Sequence, residues 1–177
     1  FLSASDAVVP SFPGFAFGWP LEQAGVNWGR TAELWQRLMT EVLGYEKFAA
    51  QGGDWGAIVS GELGHRYSDQ MIGIHVTLAG HPAFLSQIRP DDYGPGEEDW
   101  AARQEAQRSK ITSHVAVHTS DPQTLAFALN DSPIGLASWL VERRRAWSDC
   151  EGDVERRFSK DDLLTTISLF WFTQTIG

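Results

Sequence analysis

The residues best equipped for chemistry stand together in Gly52-Gly53-Asp54-Trp55-Gly56. An acid and a tryptophan lie between glycines. The small apolar stretch Phe48-Ala49-Ala50-Gln51 precedes them and a helix-like run, Ala57–Arg66, follows. Small-x-acid-x-small at a strand-to-helix junction is what a nucleophile elbow requires. The central residue sits in a strained turn, and larger neighbours would clash. Such a turn lifts one side chain above the carboxyl edge of the sheet, where open parallel sheets bind ligands. The next amide, that of Trp55, would point at the same spot, with the positive end of a helix behind it. A carboxylate attacks without prior deprotonation. It could open a strained ring, or displace a halide at saturated carbon, and so form an alkyl-enzyme ester. A water activated by histidine would then hydrolyse that ester at its carbonyl. In this reading Asp54 is the nucleophile and the Trp55 backbone is part of an oxyanion hole. The same spacing also suits an aspartate that only caps the following helix.

The elements that must position these residues follow from periodicity. Ala7–Val9 is a short β-branched run closed by Pro10. "PSFPGFAFGWP" then has loop chemistry but large apolar side chains. Phe12, Phe15, Phe17 and Trp19 could line an apolar pocket together with Trp55, and packing of this loop on the core is the alternative. Asn27 suits the cap of a helix to about Leu43. In that helix Leu34, Leu38 and Val42 form one apolar face with Trp35 and Met39 beside it, and Gly44 suits its C-terminal cap. Tyr45–Gln51 reads as a weak strand, Ala57–Arg66 as a helix and Met71–Gly80 as a buried strand. Strand, helix, strand, helix, strand over residues 7–80 implies a parallel sheet with helical crossovers. "RPDDYGPGEEDW" is a polar linker, and helical patterns follow. Helices are expected at Trp100–Ser109, at Gln123–Leu129, from Ser132-Pro133 to Trp147, and from a capping box at Ser159 and Asp162 through Phe172. The fold class is therefore α/β, with a helical part after it.

Composition narrows the function classes. The chain has 177 residues and a net charge of −9, with no basic stripe. Nucleic-acid binding needs clustered Lys and Arg and is not expected. Arg143-Arg144-Arg145 is short and reads as a solvated helix face. The single cysteine, Cys150, cannot build an internal disulfide, so a reducing, cytoplasmic setting is expected. Asp149 and Glu151 beside it argue against a reactive thiolate. No apolar run reaches the ~18 residues of a membrane span. Neither a metal nor a cofactor is expected. Both ends, at Phe1 and at "LFWFTQTIG", read as cut through structured regions, so an internal fragment is the expectation.

"PSFPGFAFG", "LGYEKFAAQGGDWG" and "GIHVTL", in that order, resemble the epoxide hydrolases of the α/β-hydrolase superfamily. The similarity is to the microsomal and juvenile-hormone branch and its bacterial relatives. "TSDPQTLAFALNDSPIGLASWLVERRRAWSD" resembles that branch's lid segment, and "GDVERRFSKDDLLTTISLFWFTQTIG" continues the likeness to the last residue. The resemblance implies a partial α/β-hydrolase core over residues 1–90 and a helical lid over 91–177. It places the family's nucleophile on Asp54 and one oxyanion donor on the amide of Trp55, and implies a small apolar epoxide as substrate. It puts the second oxyanion donor before Phe1, and the base histidine, its acid partner and one lid tyrosine after Gly177. None of His65, His75, His81, His114 and His118 stands in the family's Gly-His-Phe-like context.

One departure lies within the chain. The family's other lid tyrosine stands eight residues before a proline that matches Pro122, and His114 occupies that place. The tyrosine donates a hydrogen bond to the epoxide oxygen as charge develops there. Imidazole can donate too, and when protonated it could pass its proton to an alkoxide. A structural hydrogen bond within the lid is the alternative for His114. Two rival functions remain. A haloalkane dehalogenase also follows its elbow aspartate with tryptophan, whose indole N–H holds the leaving halide; the segment around Pro122 favours the epoxide hydrolases. A non-catalytic remnant of the fold is the other.

Overall fold

The computed structural model describes residues 6–77 and 94–177. The chain divides into two compact units. Phe1–Pro13 with Pro20–Ile88 form the first, and Gly14–Trp19 with Arg89–Gly177 form the second.

In the first unit, Asn27 starts helix α1 (Trp28–Arg37). Its side-chain oxygen accepts the Arg30 amide, and its carbonyl accepts the Thr31 amide. The expected single helix to Leu43 changes character at Leu38. From Leu38 to Val42 the turn widens to a π-helix, and the Leu43 amide reaches back to the Leu38 carbonyl. Gly44 ends it at φ 77°, a left-handed value that costs glycine little, and the Tyr45 amide returns to Met39. Strand β1 (Phe48–Gly52), helix α2 (Trp55–Arg66) and strand β2 (Met71–Val76) follow. The two strands pair in parallel, Ala49 opposite Gly73 and Gly52 opposite Val76, with an irregularity after Phe48. A parallel pair needs a crossover, and α2 supplies it, packing on both strands and on α1. Buried Ala32, Phe48, Val59 and Leu63 form the core, with Phe12, Trp35, Met39, Ala50, Tyr67 and Met71 around them.

Two strand expectations change. Ala7–Val9 forms no strand, and Val9 is 91% exposed. β-branched residues become a strand only beside a pairing neighbour, and among the described residues only β1 and β2 pair. The strand expected from Tyr45 begins at Phe48, where pairing with β2 starts opposite Met71. The end of the third expected strand, residues 78–80, lies outside the described residues.

The second unit holds helices α3 (Trp100–Ser120), α4 (Pro122–Asp131), α5 (Pro133–Trp147) and α6 (Lys160–Thr173), with a short 3-10 turn at Ala16–Gly18. The two expected caps are present. Ser132 accepts the Gly135 amide at 3.1 Å with Pro133 in the first turn, and Ser159 and Asp162 form a reciprocal capping box. Helix α3 runs on from Ser109 to Ser120. Thr112, Val115, Val117 and Thr119 are weak helix formers, but α3 packs on α4 and α5, and packing overrides propensity. Buried Ala126, Leu129, Leu136 and Cys150 lie among these helices. The basic run is not a uniformly solvated face. The Arg143 side chain is only 13% exposed, and its guanidinium lies 5.2 Å over the Trp139 ring and bonds Ser113. Arg144 lies over Phe158. Arginine is weakly hydrated and stacks on aromatic faces, so a half-buried helix side accepts it.

Asn27→Ala removes the acceptor for the Arg30 amide at the start of α1. It should destabilise the chain by about 1 kcal/mol in chemical denaturation, and Asn27→Asp by much less.

Candidate active site

Strand β1 ends at Gly52, and within two residues the chain turns into α2. Asp54, between them, has φ 50° and ψ −128°. A left-handed φ in a residue with a Cβ costs roughly 1–3 kcal/mol and persists only where its surroundings impose it. Here three backbone bonds do so. The Thr77 amide bonds the Gly52 carbonyl at 3.1 Å, and the Ala57 amide bonds the carbonyls of Gly53 and Asp54 at 3.2 and 3.0 Å. The glycines permit the turn. A Cβ on Gly52 would lie 2.2 Å from the Gly56 carbonyl oxygen, and one on Gly53 would lie 2.5 Å from Thr77 Oγ1. A Cβ on Gly56 would meet open space, so the small residue expected there is not required by crowding; the backbone of Gly56 is what excludes a side chain at Gly52.

The Asp54 side chain is exposed, and its Oδ1 accepts the Trp55 amide at 2.6 Å. Asp54 holds the cap position of α2 without ordinary cap geometry. A capping residue is normally extended and bonds the second or third amide of its helix. Asp54 is not extended, and it bonds the first. Among the described residues the Trp55 amide is the one hydrogen-bond partner of the Asp54 carboxylate. Trp55 starts α2, two residues earlier than periodicity indicated. Its indole is 56% exposed and stacks on Trp28, with ring centroids 5.7 Å apart and planes within 13°. Sequence reasoning passed over Trp28. Its position seven residues before Trp35, on the same face of α1, was the available signal.

Of the other candidates, Phe12 packs on the core of the first unit, while Phe15, Phe17, Trp19 and His114 belong to the second. Phe15 and Trp19 flank the Ala16–Gly18 turn and are 49% and 57% exposed. His114, on α3, is half-buried, with its ring 4.9 Å from Trp147 and 6.2 Å from His118. No group of three or more His, Cys, Asp or Glu that could hold a metal occurs among the described residues. No helix among them is long and apolar enough to cross a membrane. The groove of about 720 Å³ in the first unit, lined by Val9, Phe12, Trp35, Met39, Phe48 and Ile72, does not include Asp54 or Trp55.

Over 172 residues, 97% of its length, the chain is 38% identical to the "Putative epoxide hydrolase" of Stigmatella aurantiaca (strain DW4/3-1). It is 30% identical to "Epoxide hydrolase 1" of Sus scrofa over 189 residues, again 97% of the chain. Its homologues are epoxide hydrolases. The chain spans 38% and 41% of the length of these two epoxide hydrolases. The crystal structure of juvenile hormone epoxide hydrolase from the silkworm Bombyx mori superposes with a TM-score of 0.81, covering 94% of the chain and 43% of the silkworm protein. At 24% identity that likeness speaks for the fold alone. The fold is part of an α/β-hydrolase, a parallel sheet with flanking helices and a helical part, as the motifs implied. No protein-family model matches the chain.

The crowding at the turn separates two glycine substitutions. Gly52→Ala forces backbone apart and should destabilise by about 2 kcal/mol or more. Gly61→Ala, inside α2 where a Cβ meets open space, should stabilise by roughly 0.5–1 kcal/mol. The midpoints of denaturation of the two variants check both.

Proposed function

We propose that Asp54 is the nucleophile of an epoxide-opening reaction and that the Trp55 amide is one of its oxyanion donors. The observation that carries this reading is the strained, non-capping geometry of Asp54 with Oδ1 held by the Trp55 N–H. That bond divides the carboxylate. Oδ2 is left to attack a ring carbon of the epoxide, and the carbon–oxygen bond of the ring breaks as the ester bond forms. The ring oxygen leaves as an alkoxide and takes a proton from a donor in the helical part. Oδ1 is then the ester carbonyl oxygen, already on the amide that must stabilise it. Water adds to Cγ and gives a proton to a base. Negative charge gathers on Oδ1 against the Trp55 N–H. Collapse breaks the bond from Cγ to Oδ2, so the substrate leaves as a diol and the carboxylate is restored.

The substrate we propose is a small, apolar epoxide. The exposed aromatic side chains of Phe15, Trp19 and Trp55 would each suit an apolar ligand. For the proton donor to the ring oxygen we propose His114, on its place eight residues before Pro122. The base is the part for which none of the chain's five histidines has the family context. We therefore propose that the 177-residue polypeptide alone stops at the ester.

Incubating the purified chain with styrene oxide should add the mass of one epoxide, mapped by peptide sequencing to Asp54, without sustained diol formation. Asp54→Asn should give no adduct. An unmodified chain, an adduct elsewhere, or catalytic diol release would overturn the reading; halide release from a haloalkane would favour the dehalogenase. His114→Phe should slow ester formation about 100-fold, as loss of a general acid does. An unchanged rate would reject His114 as the donor.

A further inference from the structure

The aromatic loop at Gly14–Trp19 belongs to the second unit, although it precedes α1 in the chain. Its turn is tight. The Gly14 amide bonds the Gly18 carbonyl, and the Gly18 amide bonds the Phe15 carbonyl. Ala16, at its centre, has φ 45°, a value that needs outside support in a residue with a Cβ. The support comes from the far end of the chain. The Ala16 amide donates to Thr175 Oγ1 at 3.0 Å across 159 residues of sequence. Thr175 is 1% exposed.

The direction of the hydroxyl chain behind this bond can be derived. Each threonine hydroxyl has one proton to give. That of Thr173 goes to the Leu169 carbonyl at 2.6 Å, one turn back on α6. The contact of 2.8 Å between Thr173 Oγ1 and Thr175 Oγ1 must therefore take its proton from Thr175. This leaves Thr175 Oγ1 an acceptor for Ala16. The chain runs from the Ala16 amide through Thr175 and Thr173 to Leu169, and every donor in it is used. Such chains polarise and strengthen their members. Gln174 ends α6 at φ 53° and ψ 39°, and this left-handed step separates Thr175 from the helix that carries Thr173.

We propose that Thr175 is a positioning residue for substrate recognition: its hydroxyl holds the Ala16 turn and so sets Phe15 and Trp19 in the helical unit. The proposal rests on the reading of those two aromatics as substrate-lining. Phe15 immediately precedes the anchored amide, and Trp19 immediately follows the turn. Loss of the anchor should therefore change how substrate is held and leave the reactivity of Asp54 intact.

Thr175→Val keeps the shape and removes the acceptor; Thr175→Ser keeps the hydroxyl. In the purified chain, hydrogen exchange at the Ala16 amide should be about five- to tenfold faster in Thr175→Val and near the unsubstituted rate in Thr175→Ser. Single-turnover ester formation with styrene oxide supplies the second measurement. Thr175→Val should raise the half-saturating concentration several-fold with little change in the maximal rate, and Thr175→Ser should restore it. Equal Ala16 protection in Thr175→Val would overturn the anchor. Faster exchange with an unchanged half-saturating concentration would overturn the role in recognition. No ester in the unsubstituted chain would instead overturn the reading of Asp54, with the anchor still judged by exchange at Ala16.

Discussion

The close approach of the Gly52 and Gly56 backbones governs the first unit. At that separation neither the end of β1 nor the first turn of α2 can move without the other. The strand therefore delivers the chain to Asp54 in a conformation that an aspartate would not choose alone. The bonds from Thr77 and Ala57 lock it there. Because Thr77 directly follows β2, the pairing of the two strands is itself part of what holds the turn. The local strain at Asp54 is thus supported by the sheet, the crossover helix and the core of Val59 and Leu63 beneath it.

The same geometry relates the two readings of Asp54 to each other. A helix N-terminus has spare amides and a positive potential, and both favour a carboxylate. A capping aspartate uses them to complete the helix, turning inward to the second or third amide. Asp54, held at a left-handed φ, reaches only the first amide and stays exposed. Its interaction with α2 therefore keeps one oxygen fixed and leaves the carboxylate at the surface. The position has the electrostatics of a cap and the accessibility of a reactive group.

The second unit is organised by its helix ends. Ser132 with Pro133 starts α5, Ser159 with Asp162 starts α6, and the left-handed Gln174 closes α6. Each is a local device, and each sets where a longer-range contact can form. The end of α6 bears on Ala16 through Thr175. The start of α5 fixes the phase at which Trp139, Arg143 and Trp147 appear on the helix. Arg143 then lies over Trp139, and the His114 ring meets Trp147.

What the sequence determined by itself were the features that depend on neighbours in the chain. Asn27, Ser132 and the Ser159–Asp162 box marked helix starts because a cap is satisfied within three residues. The glycines at 52 and 53 marked a tight strand-to-helix turn because their role is to lack a side chain. Helical periods marked α1 and α2, and ordered motifs marked the relationship to epoxide hydrolases. Only the tertiary structure decided the rest. It left Ala7–Val9 without a strand, laid Arg143 over Trp139, stacked Trp28 on Trp55 and tied Ala16 to Thr175. Each outcome depends on which distant segment arrives beside the residue. Spacing along the chain carries no record of that, because the partner is chosen by the path of the backbone through the core.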